Sequence, residues 1–204
     1  MSGGHDRAPV HQPASFAFNP ENQAKAKATI AKYPPGRQRS AVLPLLDLAQ
    51  RQEGWVTRAA MEAIAEMLEM APILVYEVAT FYTMFNLKPV GRHHVQVCTN
   101  LPCQLRGSDA VVAACKQELG IGIGETTADG QFSLAEVECL AACVNAPVVW
   151  IADDYYEDLD AESTRKLLQA LKRGEKPKPG TQVDRIHSAP AGGPRTLTTT
   201  PVKG

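Results

Sequence analysis

From Glu21 to about Phe85 the apolar residues recur at helical spacing. The spacing predicts a first helix over Asn22–Lys32, stopped at Tyr33-Pro34-Pro35, and a second over about Arg39–Arg51, with Val42, Leu45, Leu46 and Leu48 apolar. Pro44 fits only the first turn of that second helix, because it has no N–H to donate. Thr57 is placed to cap a third helix running through Met70, on which Met61, Ile64, Ala65 and Leu68 fall three and four residues apart. Pro72 opens a fourth, Ile73–Phe85, and Asn86–Gly91 reads as a linker. The pattern predicts a helical bundle over residues 21–87.

Beyond the linker the period changes. His94–Cys98 reads as a strand, and Ser108 as the cap of a helix that Gly120 ends. Asp129-Gly130 is a hairpin turn between short strands near Glu125–Thr127 and Phe132–Glu138. Pro147–Ile151 is another strand, turning at Ala152-Asp153-Asp154 into Tyr155–Glu157. Asp160 caps a last helix that ends at Lys172-Arg173-Gly174, with cations at its negative dipole end. The order β-α-β-β-β-α implies a small mixed sheet flanked by helices over residues 88–174, so the fold class is α+β. Residues 1–20, rich in Gly, Pro, His and Ala, are expected to form a flexible arm. Residues 175–204, dominated by Pro, Gly, Thr and Ser, are expected to be an extended tail that builds no core of its own and binds a partner.

Composition narrows the function. The chain has 204 residues and is 44% hydrophobic, enough to bury a core. Its 21 basic and 22 acidic residues leave a net charge of −1, without the basic stripe of a nucleic-acid binder. No apolar stretch approaches the roughly 18 residues of a membrane span. The first residues carry neither a secretory h-region nor the basic content of a transit peptide, so an intracellular protein is expected. There, cysteine pairs more often serve as metal ligands or redox thiols than as structural disulfides.

Four of the five cysteines form two tight pairs, Cys98 with Cys103 and Cys139 with Cys143, each where a strand-like run ends. Two loops bearing two thiolates each can close on one metal centre and supply the four sulfurs of an iron–sulfur cluster, [2Fe–2S] or [4Fe–4S]. Zinc is the rival, since thiolates suit soft metals. Neither pair has the C-x2-C spacing common in zinc knuckles, and spacings of four and three surround a larger object more readily than one ion. Thiol or disulfide chemistry ranks third. Cys115 falls on the apolar face of its helix with Val111, Val112 and Leu119 and reads as a small buried hydrophobe. His93 and His94 suggest a Rieske-type centre, but four cysteines already fill the site, and the histidines read as loop or surface residues. The acids Asp153, Asp154, Glu157, Asp158 and Asp160 read as a solvated face or a partner contact rather than a cation site. Asn100, Gln104 and Gly107 can offer donors toward sulfur, and Ala141-Ala142 is small enough for close approach to a cluster.

At Cys98-Thr-Asn-Leu-Pro-Cys-Gln-Leu-Arg-Gly107 and Val137-Glu-Cys-Leu-Ala-Ala-Cys-Val-Asn-Ala-Pro147 the chain closely resembles the 24 kDa subunit of respiratory NADH:quinone oxidoreductase, complex I. The resemblance extends through Ala41–Gln52, Val75–Met84, Asp154–Leu159 and Pro190–Gly193, and covers roughly residues 20–195. It implies a helical domain followed by a thioredoxin-like [2Fe-2S] ferredoxin domain, with one [2Fe-2S] cluster on Cys98, Cys103, Cys139 and Cys143. Ala141 stands where the family commonly has Gly. The family implies an FMN-bearing flavoprotein partner of the 51 kDa type that carries a [4Fe-4S] cluster and the NADH site, along with other peripheral-arm subunits. This chain has no G-x-G-x-x-G turn, so FMN and NADH are expected on the partner only. It would act within an oxidoreductase complex without a substrate site of its own. The Pro190–Gly193 segment resembles the mitochondrial and related bacterial branch. The expected location is the cytoplasmic face of the bacterial inner membrane, or the matrix side if the source is eukaryotic. Related subunits serve NAD-linked hydrogenases and formate dehydrogenases, and a zinc-held assembly module without redox function is the reading from a different class.

Overall fold

The computed structural model describes residues 10–190, 192, 193 and 196 of the chain. The chain divides into two compact units, one ending at Val90 and the other beginning at Gly91.

The first unit is helical: α1 (Pro20–Ile30), α2 (Val42–Glu53), α3 (Arg58–Met67) and α4 (Pro72–Phe81), with a 3-10 turn over Gln38–Ala41 leading into α2. Local chemistry explains the starts. The Asn19 side chain accepts from Asn22 N–H, the Thr57 hydroxyl accepts from Ala60 N–H at 3.0 Å, and Pro72 sits in the first turn of α4. Leu45, Leu46, Ile64 and Val75 meet in the core, and Met61 lies in it as well. The second half of the expected N-terminal arm packs on this unit. Phe18 is buried edge-to-face against Phe16, and Gln12 accepts a hydrogen bond from Arg58 N–H at 3.0 Å. Two aromatic rings within three residues bring enough apolar surface to anchor a segment whose composition is otherwise that of a loop. Residues 1–9 lie outside the described residues.

The second unit is a mixed sheet in the order β2-β1-β3-β4-β5. Its strands are β1 (His93–Cys98), β2 (Phe132–Val137), β3 (Val149–Ile151), β4 (Asp154–Glu157) and β5 (Gly180–Thr181). The helices are α5 (Leu101–Leu105), α6 (Ser108–Leu119) and α7 (Ala161–Lys172). β1 runs parallel to β2 and antiparallel to β3. Val95 and Val97 point into a core with Val111, Cys115 and Leu119 of α6 and Leu167, Leu168 and Leu171 of α7. Side chains alternate along a strand, so Cys98 falls on the other parity and joins a separate small cluster. Asp160 caps α7 through a reciprocal bond with Ser163, which is the expected cap.

Several elements differ from the sequence expectation: α3 and α4 end at Met67 and Phe81 rather than Met70 and Phe85, and α5 is unexpected. Gly107, at φ 98°, is the N-cap of α6, and Ser108 lies inside the helix with its buried hydroxyl lacking a partner. The run Glu125–Thr127 contributes a single antiparallel bridge, Thr126 to Ser133, rather than a strand, although the turn at Asp129-Gly130 is present. Gly180–Thr181, in the tail, pairs in parallel with β4 and forms the sheet edge.

The junction between linker and sheet is tight. The Gly91 N–H donates to the Ser133 hydroxyl at 2.7 Å, and a Cβ on Gly91 would stand 2.6 Å from the Phe132 carbonyl carbon. The obstacle is backbone of β2, which cannot rotate away. Gly91→Ala is expected to destabilise the second unit by about 1–3 kcal/mol, the range for overpacking. Chemical denaturation followed by circular dichroism measures it.

Candidate metal centre

The parallel pairing of β1 and β2 builds this site. Cys98 ends β1 and is in register with Val137, which ends β2. Two adjacent parallel strands finish at the same edge of the sheet, so the loop after Cys98 and the loop after Val137 leave side by side. The first runs into α5, where Pro102 occupies the opening turn and Cys103 faces inward. The second carries Cys139 and reaches Cys143 six residues after Val137. The chain then returns through a cis Ala146–Pro147 bond to β3.

The four thiols fall into two unlike pairs. Cys98 and Cys103 are each 2% exposed and cluster with Ala146 and Val148, whereas Cys139 and Cys143 are exposed. Burial, followed by the neighbouring Cys98 thiol, pushes the Cys103 pKa up to about 12, against a hydrogen bond from the Val148 backbone that favours the thiolate. The Sγ atoms of Cys139 and Cys143 stand 3.3 Å apart, and the Cys139 thiol is the main cause that raises the Cys143 pKa. Cys98 is also among the causes that raise the Cys143 pKa. Among the described residues no group of three or more His, Cys, Asp or Glu side chains is arranged around a single ion. The sulfurs stand two and two, the division that a two-iron centre uses when each iron takes two protein ligands. A soft metal bound here would displace the thiol protons, and the buried pair supplies a dry wall on one side.

Backbone and side chains brace the loops. Ala141 N–H donates to Cys139 Sγ at 3.4 Å, with Ala141 held at φ 62°. That left-handed conformation costs a non-glycine residue about 1 kcal/mol. Ala141→Gly is therefore expected to stabilise the loop by about 0.5–1 kcal/mol, less what glycine adds to unfolded-state entropy. Comparing the thermal midpoints of the two proteins tests it. Asn100 donates from its side chain to Glu138 Oε2 at 2.8 Å, joining the two cysteine loops. The sequence predicts this amide as a donor toward sulfur. Its carbonyl oxygen caps Leu101 N–H instead, and that fixes the amide toward Glu138. Tyr155 packs against the cysteine cluster, with Trp150 edge-on at a ring separation of 6.2 Å.

Other candidates are placed elsewhere. Cys115 is fully buried in the α6 core, and burial raises its pKa to about 12. His93 opens β1, at the end of the strand away from Cys98, and stacks on Phe132 at 5.0 Å. Within the acidic run Asp160 serves as a cap, and Asp158 leaves the solvated face. Its carboxylate is paired with Arg185 at 3.0 Å. The sequence reading gives no role to Asn145, Tyr155 and Arg185, and takes Asp158 as part of a solvated face or partner contact. Arg185 had only one signal, that of a basic residue in a tail with no apolar period.

The thioredoxin-like [2Fe-2S] ferredoxin family model matches residues 26–172. The chain belongs to this family. It is 58% identical over 159 residues to the E subunit of the NADH-quinone oxidoreductase of Rickettsia bellii (strain RML369-C), covering 78% of this chain and 95% of that protein. It is 52% identical over 189 residues to an E subunit of the NADH-quinone oxidoreductase of Rhizobium meliloti (strain 1021), covering 91% and 69%. It is 50% identical over 185 residues to the mitochondrial NADH dehydrogenase [ubiquinone] flavoprotein 2 of Dictyostelium discoideum, covering 90% and 74%. Among solved structures an NAD+-reducing [NiFe]-hydrogenase in the H2-reduced state superposes with a TM-score of 0.57 at 19% identity, over 65% of this chain and 23% of that one. That likeness concerns the fold alone.

Proposed function

We infer that this chain is the electron-transfer subunit of an NADH:quinone oxidoreductase, with one [2Fe-2S] cluster on Cys98, Cys103, Cys139 and Cys143. The observation that carries the reading is the departure of both cysteine loops from the shared edge of parallel strands β1 and β2, in a chain of the thioredoxin-like [2Fe-2S] ferredoxin family. A bound cluster of this kind takes up and returns one electron at a time. The protein's own part is to hold and insulate it. Cys98 and Cys103 anchor the inner side on the sheet. Val148, Ala146 and Tyr155 keep water from that side, and Ala141 N–H and Val148 N–H direct hydrogen bonds at sulfur, which favours the thiolate form. The exposed Cys139/Cys143 side is the one open to a partner.

That partner, on this reading, is the FMN-bearing flavoprotein subunit of the 51 kDa type, within a peripheral arm on the cytoplasmic face of the membrane. Exposed apolar side chains support a partner. Leu101, Leu105 and Val144 surround the cysteine loops, and Ile73, Tyr76 and Phe81 stand on α4. No helix among the described residues is long and apolar enough to cross a membrane. The test is an EPR spectrum of the dithionite-reduced purified chain. The expected result is a [2Fe-2S] signal with a low midpoint, on the order of −400 mV as in plant-type ferredoxins. A colourless, EPR-silent protein containing zinc would refute it.

A further inference from the structure

The Arg185–Asp158 pair is nearly closed to water, with side chains only 9% and 10% exposed. Burying both charges is expensive unless their polar atoms find partners, and here Asp158 Oδ2 and all three guanidinium nitrogens of Arg185 do. Asp158 Oδ2 accepts from Arg185 Nε at 3.0 Å, from the Thr181 hydroxyl at 2.7 Å and from Asn145 Nδ2 at 3.2 Å. One terminal nitrogen of Arg185 donates to the Val144 carbonyl at 2.8 Å, and the other donates to Ala189 O at 3.4 Å. Asn145 Nδ2 also donates to His187 O at 3.0 Å, while Asn145 O accepts from Asp158 N–H at 2.7 Å. Val144 and Asn145 directly follow Cys143, and Val144 itself is 67% exposed, so packing does little to hold it. Asp158 and the loop's own backbone restrain this stretch at Asn145, and Arg185 and His187, near the far end of the chain, add the bonds to Val144 O and Asn145 Nδ2.

We propose that Arg185 is a positioning residue for the iron–sulfur site, locking the Cys143 loop through Val144 and Asp158 and supplying the cation that balances Asp158 beside it. The proposal rests on the ligand assignment above. Reduction of the cluster adds a negative charge. Removing Arg185 leaves Asp158 unbalanced and disfavours that charge, whereas removing the Asp158 charge leaves the cation and favours it. Charge and geometry can therefore be separated.

The experiment uses the full-length chain with its cluster, comparing Arg185→Gln, Arg185→Lys and Asp158→Asn with Arg173→Gln, which breaks an exposed ion pair. Cluster loss to an iron chelator is followed by visible absorption, and the midpoint by EPR-monitored titration. Arg185→Gln is expected to lose its cluster about 10–100-fold faster, the usual range for groups supporting a metal ligand, and to shift the midpoint down. Asp158→Asn is expected to shift it up. Arg185→Lys, which keeps the charge without the planar fork, should restore the midpoint and only part of the retention. Arg173→Gln should match wild type. Arg185→Gln with wild-type retention and midpoint overturns the proposal, and so do midpoints that move the same way in Arg185→Gln and Asp158→Asn. If Arg185→Gln does not fold, Arg185→Lys decides, because a midpoint displaced as far as that of Asp158→Asn overturns it. A wild-type chain without a [2Fe-2S] spectrum fails the ligand assignment itself, and this proposal with it.

Discussion

Replacing any one of Cys98, Cys103, Cys139 or Cys143 by serine is expected to strip the chain of iron and colour, while Cys115→Ser stays loaded. A serine hydroxyl is a far weaker soft-metal ligand than a thiolate, and a site short of one sulfur leaves an iron open to water. The size of the loss should follow burial. Cys98 and Cys103 form the closed wall of the site, so serine there also places a hydroxyl in an apolar cluster with Ala146 and Val148. Cys139 and Cys143 are exposed, and their variants should fold normally in the iron-free state. Iron analysis and visible absorption measure the loading, and circular dichroism separates a folded empty chain from an unfolded one. Full occupancy in Cys143→Ser would point to another ligand and overturn the assignment. Cys115→Ser tests the opposite claim. Its thiol is enclosed by Val111, Leu119 and Leu168 in the core under the sheet, so the cost should appear in stability and leave iron content unchanged.

The parts of this site that were legible in the sequence are those with local signatures. Four thiols in two tight pairs, each at the end of an apolar strand, announce a metal centre before any coordinates. Thr57, Pro72 and Asp160 mark helix starts through chemistry confined to a few residues. What stayed hidden depends on pairing between distant segments. Nothing in the composition of Phe132–Val137 says that it lies parallel to His93–Cys98 rather than returning as a hairpin with Glu125–Thr127. Yet that pairing sets both cysteine loops at one edge. Ser108 looked like a cap because serine commonly is one. Gly107 takes the role because the chain enters α6 at φ 98°, which glycine adopts freely. The role of Asp158 could not be read from its acidic neighbours, since its partner is Arg185 and the burial of the pair arises only when β5 joins the sheet.

Removing residues 176–204 is expected to damage the metal site as well as any docking. Composition alone suggests a tail dispensable to its own domain, and the structure places part of it at work there. Gly180–Thr181 covers the edge of β4, which would otherwise present unpaired backbone groups. The Tyr156 hydroxyl reaches Pro177 O, and Arg185 holds Val144. Losing these takes away both the cation and the strand that bury Asp158, so its carboxylate returns to water and the damage falls on the sheet edge and on the hold over Val144. Removing residues 194–204 spares every one of these bonds. The longer truncation should therefore lower the thermal midpoint and speed cluster loss to a chelator, while the shorter one leaves both unchanged. Co-purification with the proposed flavoprotein partner, measured on the shorter truncation, then reports docking free of damage to the cluster loop. A longer truncation that keeps wild-type stability and cluster retention would mean that Gly180–Ala189 only rests on the sheet. The Cys143 loop would then owe its geometry to its own 3-10 turn and to the bonds between Asn145 and Asp158.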